Sequence, residues 1–234
     1  MTTQQISRDL KSLANPELAA QAQRYFKTGP GEYGEGDRFL GIRVPVLRVQ
    51  LKKYESATLE DARQLLASEF HEERLFALLL LVRKFDKGND AERAAIYWLY
   101  LNNTFHINNW DLVDSSASQI VGRYLESHDR LILYKLVKSS SLWERRIAII
   151  ATFYFIKNNQ FDDALKLATQ LLDDEEDLIH KAVGWMLREI GKRDGEVGRN
   201  FLLACYKSMP RTMLRYAIER FPDSERKQYL LGDA

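Results

Sequence analysis

The stretch "DLIHKAVGWMLREIGK" (177–192) opens on charged and polar residues, places an alanine in its first half and then turns apolar. Four other segments share that plan: "EERLFALLLLVRKF" (72–85), "WDLVDSSASQIVGRYL" (110–125), "WERRIAIIATFYFIK" (143–157) and "RTMLRYAIERF" (211–221). Their alanines are Ala77, Ala117, Ala148, Ala182 and Ala217, spaced 40, 31, 34 and 35 residues apart. Shorter amphipathic segments lie between them, among them "TLEDARQLLAS" (58–68), "DRLILYKLVKS" (129–139) and "FDDALKLATQLLD" (161–173). A helix pair every 31 to 40 residues is the pattern of an α-solenoid of HEAT type. A small residue at one place in each second helix lets neighbouring helices approach closely. Strand signals are missing: there is no sustained period-two alternation and no Asn-Gly or Asp-Gly hairpin between apolar runs. The expected fold class is all-α, an α-solenoid of HEAT-like helical pairs forming one repeat domain over residues 1–234. Its second helices are expected to line a concave groove. The competing arrangement is an irregular helical bundle.

Composition limits the possibilities further. With 234 residues, 45% hydrophobic and 29% charged, the chain can bury a sizeable core and is not of disordered type. The apolar run "LFALLLLV" (75–82) is far too short to span a bilayer, so no membrane partner is expected. The opening MTTQQISRDL lacks a basic segment followed by an apolar core, which predicts no secretion. A single cysteine, Cys205, excludes an internal disulfide and a cysteine-based zinc site, and suits a cytoplasmic protein. The net charge is +1, whereas a dedicated nucleic-acid binder is usually basic overall. An anion-binding surface must therefore come from how the charges are arranged on one face.

The stretch "INNWDLVDSS" (107–116) raises a chemical question. At about 100° per residue, Val113, Ala117, Ile120, Val121, Tyr124 and Leu125 all fall within roughly 80° of Trp110. Asp114, at about +40°, lies in the middle of that buried stripe. Asp111, at about +100°, lies off it and close to the helix start, where an acid simply favours the dipole.

A second tryptophan stands out in "IHKAVGWMLRE" (179–189). Taking Lys181 as zero, Trp185 falls at about +40° and Arg188 at about −20°, while the apolar residues centre on the opposite side. A tryptophan between two cations suits a nucleic-acid backbone, with the ring for sugar or base and the cations for phosphate. It equally suits a ring packed on a neighbouring repeat with the cations reaching past it. Farther upstream, Arg145 and Arg146 adjoin at the start of a helix that is apolar nearly all round. Adjacent side chains diverge by about 100°, so one can pair with an acid such as Glu144 or Asp111 while the other points elsewhere. A half-buried arginine needs an anion, either a carboxylate or a ligand phosphate.

Other chemistry is thin. The stretch "FKTGPGEYGEGDRFLGIRVP" (26–45) holds five of the twelve glycines but lacks the Gly-Lys-Ser/Thr ending and a preceding strand. It reads as a connection giving backbone amides to a turn or a phosphate, and no nucleotide cofactor is expected. His71, His106, His128 and His180 show no HExxH spacing, so no metal is expected. There is no Gly-x-Ser-x-Gly elbow.

With these residues placed, the sequence resembles the AlkD-type DNA alkylation repair family, all-helical HEAT-like DNA glycosylases. The resemblance rests on "KTGPGEYGEGDRFLGIRVP", "NNWDLVDSS", "SLWERRIAII" and "KAVGWMLREIGK" in that order, and spans nearly the whole chain. It implies that Asp114, four residues after Trp110, is the catalytic aspartate. It also implies that Trp185, followed three residues later by Arg188, is the second groove tryptophan, and that Arg146 is the active-site arginine. The aromatic before the first loop is Tyr25 or Phe26. Lys181 joins the set from its place beside Trp185. The implied activity is release of cationic N3- and N7-alkylated purines from duplex DNA by a monomer without cofactor, through contacts to the deoxyribose rather than a flipped-base pocket.

Such an activity accounts for the carboxylate beside Trp110. An alkylated purine is already cationic and leaves without an acid to protonate it. What needs stabilising is the oxocarbenium character growing on the sugar, and one carboxylate does that best where water is scarce. An acid-plus-base pair of the sugar-hydrolase kind is then unnecessary. Tryptophan faces favour the same positive charge. The competing reading is a HEAT scaffold that binds DNA or protein and catalyses nothing, which fold alone does not exclude.

Overall fold

The five alanines that suggested the repeat are all buried. The computed structural model describes residues 2–234, and helices account for the ordered backbone. No strand forms among the described residues; Arg38 and Phe70 make one isolated bridge. No helix among them is long and apolar enough to cross a membrane. The chain divides into two units, residues up to Ser116 and residues from Ala117 onward.

The first unit contains α1 (Thr3–Lys11), α2 (Pro16–Tyr25), α3 (Val44–Leu51), α4 (Leu59–Leu66), α5 (His71–Lys87), α6 (Asp90–Leu101) and α7 (Trp110–Asp114). Local chemistry sets their starts. Thr58 with Asp61 and Asn89 with Glu92 form reciprocal capping boxes at α4 and α6. Asn15 caps α2, whose first residue is Pro16, where a missing N–H costs nothing. Helix α5 packs on α4 and α3, and its Leu75, Phe76, Leu78, Leu80, Leu81 and Phe85 supply much of the core.

The burial of α5 extends to its first turn, "HEER" (71–74), where all four polar side chains are buried. Each has therefore found a partner, since an unpaired buried charge is too costly to keep. Glu73 accepts from the hydroxyls of Ser7 (2.6 Å) and Ser68 (2.5 Å). Glu72 accepts from the amides of Leu40 (2.8 Å), Gly41 (2.7 Å) and Ile42 (3.1 Å). The glycine-rich connection thus gives these amides to a carboxylate of the protein itself. Gly41 makes that turn possible: its φ is +79°, and a Cβ there would lie 2.1 Å from the Asn15 carbonyl oxygen.

The second unit contains a π-helical turn (Ser118–Gly122), then α8 (Leu131–Leu136), α9 (Leu142–Ala151), α10 (Phe153–Lys157), α11 (Asp162–Gln170), α12 (Asp177–Arg193), α13 (Gly195–Cys205), α14 (Arg211–Ala217) and α15 (Asp223–Leu231). The pairing follows the expected plan. Helix α8 packs on α9 and α11 on α12, while the second helices pack on one another, α9 on α12 and α12 on α14.

Two expected helices are broken. Residues 143–157 split at Thr152, whose hydroxyl turns back onto the Ile149 carbonyl at 2.6 Å. Residues 110–125 are not one continuous helix either. The α-helical turn ends at Asp114 and the backbone widens into the π turn four residues later. Ser116 is the cause we identify. Its hydroxyl takes the Leu112 carbonyl at 2.5 Å, the acceptor its own amide would use in an α-helix, and the amide bonds to Val113 instead. The stripe survives the break: Val113, Ala117, Ile120, Val121 and Leu125 are all buried and Tyr124 is half-buried.

Candidate active site

Trp110 and Asp114 begin and end the single turn of α7, and the residues around them hold that turn firmly. Asn109, fully buried, accepts from the Trp110 amide at 2.8 Å and donates to Asp37 at 3.3 Å. Asp111 accepts from the Leu112 amide at 2.9 Å with one oxygen and meets His71 Nε2 with the other at 2.8 Å. The expectation that Asp111 serves the helix start is half of its role; the other half is the histidine.

Behind α7 lies a buried charge cluster. His71 Nδ1 is 3.0 Å from Asp37, and Asp37 also takes the Arg74 guanidinium, which donates in addition to the Ser68 carbonyl at 2.9 Å. Burial alone would push the His71 imidazole down, but Asp111 and Asp37 outweigh it and hold it up at about 9. Burial likewise raises the Asp37 carboxyl, and His71 and Arg74 together bring it below its ordinary value.

A group of packed rings joins the cluster to Trp110, with Phe26 meeting both Phe39 and His71 at 5.1 Å. Phe39 stacks on His71 at 4.6 Å, Phe26 on Phe39 at 5.1 Å, and Trp110 on Phe26 at 5.3 Å. Tyr25 meets Trp110 edge-on at 6.0 Å and is 66% exposed. Tyr25, Phe26, Phe39, His71 and Asp111 contribute to the lining of a pocket of about 640 Å³. Asp114 itself is half-buried. Burial and then the charge of Asp114 push the Tyr100 hydroxyl up, against the opposing hydrogen bond with Ser116. The carboxylate is therefore felt inside this unit while keeping part of its own surface.

The remaining expected residues lie in the second unit. Trp185 is half-buried, its ring tilted on Phe153 at 5.5 Å, with the Lys157 ammonium 4.2 Å from the Phe153 ring. Lys181 pairs with Asp177 at 2.7 Å in an exposed contact, and Arg188 pairs with Glu219. Arg145 is bound to Asp174 (2.7 Å) and to the carbonyls of Ser139 and Ser140. Arg146 is only 4% exposed and donates to the Leu178 carbonyl.

A family model described as DNA alkylation repair enzyme matches residues 6–221. The chain belongs to this family. Its role accordingly lies in DNA alkylation repair, with DNA as its partner. No curated protein matches it. Among solved structures, the "Predicted DNA alkylation repair enzyme from Enterococcus faecalis" is 20% identical with a TM-score of 0.68, covering 90% of this chain and 97% of that one. The Streptococcus mutans protein smu.31 is 18% identical with a TM-score of 0.56, covering 95% and 100%. AlkD2 from Streptococcus mutans is 18% identical with a TM-score of 0.55, covering 88% and 98%. At these identities the likeness concerns the fold.

In this alkylation repair protein, Asp37, His71 and Arg74 are not among the site residues expected from the sequence. For His71 and Arg74 one signal is present: they open a helix that runs directly into the apolar stretch 75–82, so they are drawn into the core and need partners.

Proposed function

We propose that this protein is a monofunctional DNA glycosylase that excises cationic N3- and N7-alkylated purines from duplex DNA. The observation carrying the reading is a half-buried carboxylate, Asp114, on the same single helical turn as Trp110, within a chain of the alkylation repair family. In the reaction, the electron pair of the bond between sugar and base passes to the purine nitrogen. The purine leaves neutral, its positive charge cancelled by that pair. The deficit appears on the deoxyribose as an oxocarbenium ion, which the Asp114 carboxylate stabilises. Water adds to the sugar carbon and gives up a proton, leaving an abasic site. No lysine enters the chemistry.

Trp110 and Trp185 offer ring faces to the sugar and backbone. Tyr25 adds an exposed ring beside Trp110. Lys181 and Arg188 contact phosphates, giving up protein carboxylate partners to do so. Arg146 contributes its charge from beneath the surface. The protein acts as a monomer and handles the lesion without a flipped-base pocket. The deciding experiment is single-turnover excision on duplex DNA carrying N7-methylguanine. Release of free base, with an abasic site and no strand cut by the protein, is expected; binding without release would make the chain a scaffold.

A further inference from the structure

We propose that His71, clamped between Asp37 and Asp111, is a positioning residue that holds the Trp110–Asp114 turn in its working orientation. This rests on the reading of Trp110 and Asp114 as the reacting face.

The geometry is specific about the form of the imidazole. Nδ1 faces a carboxylate oxygen of Asp37 at 3.0 Å and Nε2 faces one of Asp111 at 2.8 Å. Ionised carboxylates only accept, so both bonds exist only when both ring nitrogens carry a proton. The charges agree. Asp37 and Asp111 bring two negative charges, and Arg74 with an imidazolium brings two positive ones. The other groups nearby are already committed. On α5 itself, Glu72 serves the amides of Leu40, Gly41 and Ile42, and Glu73 serves Ser7, Ser68 and, at 4.0 Å, Lys11. From the glycine-rich connection, Arg38 pairs with Glu69, and Phe26 and Phe39 present uncharged rings. His106 is pushed down by burial and by Arg74, and so adds no charge.

Three tethers run from this cluster to α7. Asp111 is bound to His71, Asn109 is bound to Asp37, and Trp110 reaches His71 through Phe26, whose ring lies 5.1 Å from the imidazole. Deprotonation of His71 would turn a lone pair toward one carboxylate and leave two buried anions against one guanidinium. Asp111, the more exposed of the two acids at 17% against 4%, would then move. The single turn of α7, and with it Trp110 and Asp114, would lose its anchor.

The test uses the full chain labelled with ¹⁵N, and two variants, His71→Gln and Asp37→Asn. In the wild type, the Trp110 indole N–H and the Asp114 amide signals should stay constant from pH 6 to 8 and then move together as His71 titrates near 9. His71→Gln should displace both signals at every pH and abolish that transition. Asp37→Asn keeps the histidine but removes a charge, so the transition should move to lower pH.

Excision of N7-methylguanine gives a second reading. His71→Gln should slow single-turnover release by about tenfold to a hundredfold at neutral pH with little change in duplex affinity, as expected of a misaligned reacting group. The ratio of wild-type to variant rate, which cancels the titration of the substrate, should fall toward one above pH 9.5. A merely structural histidine would lower the melting temperature and leave that ratio flat. Signals of His71→Gln that superimpose on the wild type, or wild-type signals that ignore the His71 titration, overturn the proposal. If neither variant folds, the wild-type titration alone decides. Asp114→Asn excising at the native rate would instead remove the catalytic reading, while the two signals still report whether His71 positions the turn.

Discussion

Phe26 stacks on Trp110 with 5.3 Å between ring centroids and 27° between planes, while Tyr25, its neighbour in sequence, meets both rings edge-on. The two candidates for the aromatic before the first loop therefore do different things. Phe26 is half-buried, packed between Trp110, Phe39 and His71, whereas Tyr25 is exposed and is the ring we propose for the ligand. Tyr25→Ala should leave thermal stability nearly unchanged and weaken duplex binding. Phe26→Ala should destabilise the fold by about 2 kcal/mol through lost aromatic packing, short of the cost of a fully buried ring. Melting curves and duplex titrations of the two variants separate these roles; equal stability losses would contradict them.

Asp114→Asn keeps the shape of the side chain and removes its charge. Losing one preorganised electrostatic contact typically costs about 10²–10³ in rate. Single-turnover excision should fall by that factor, with duplex affinity unchanged or slightly higher because a negative charge near the phosphates is gone. A folded variant with near-native excision would end the assignment. Asp111→Asn is a poor control, because Asp111 is a partner of the buried His71 and its neutralisation should cost about 2 kcal/mol. Asp90→Asn, exposed at the start of α6, is the silent one.

Lys181 and Asp177 form an exposed i,i+4 pair, a contact that contributes little to stability. Lys181→Ala should therefore melt like the wild type. As a phosphate contact, its loss should weaken binding to damaged and intact duplex by similar factors and flatten the slope of log affinity against log salt by about one unit. An unchanged slope would remove Lys181 from the DNA contacts.

At Gly184, α12 and α14 approach closely. A Cβ on it would lie 2.5 Å from both the Met213 carbonyl oxygen and the Tyr216 Cβ. Gly184→Ala, which in an exposed helix would be favourable, should here destabilise the protein by about 1–3 kcal/mol by forcing the helices apart. Chemical denaturation gives the sign directly, and a stabilised variant would refute the close approach.

The raised His71 value carries a stability signature of its own. The group binds its proton more tightly folded than unfolded, about 9 against 6.5, so its contribution is complete below pH 6.5 and is lost as the pH rises through 9. Unfolding free energy should fall across that window, by on the order of 3 kcal/mol at most. His71→Gln should flatten the slope. A wild-type protein equally stable at pH 6 and pH 9.5 would show that the imidazole is not held in its charged form.

The all-α class and the pairing of helices were readable from residues alone because they depend on local periodicity. An apolar stripe recurs at helical spacing, and one small residue returns every 31 to 40 positions, so Ala77, Ala117, Ala148, Ala182 and Ala217 could be placed in the core directly. Trp110 and Asp114 could be singled out as candidates in the same way, because a carboxylate on an apolar face is a local anomaly. The break after Asp114 was not readable: it follows from the Ser116 hydroxyl taking one carbonyl, and a helical wheel assumes every such bond is made in register. Nor was the role of Asp111. Its partner His71 lies 40 residues away, and Asp37 another 34 before that, with no period connecting them. Only packing brings these three groups together, and only in the interior do they need one another. In water each would be solvated separately, but buried beside Arg74 they are stable as a charge-balanced set.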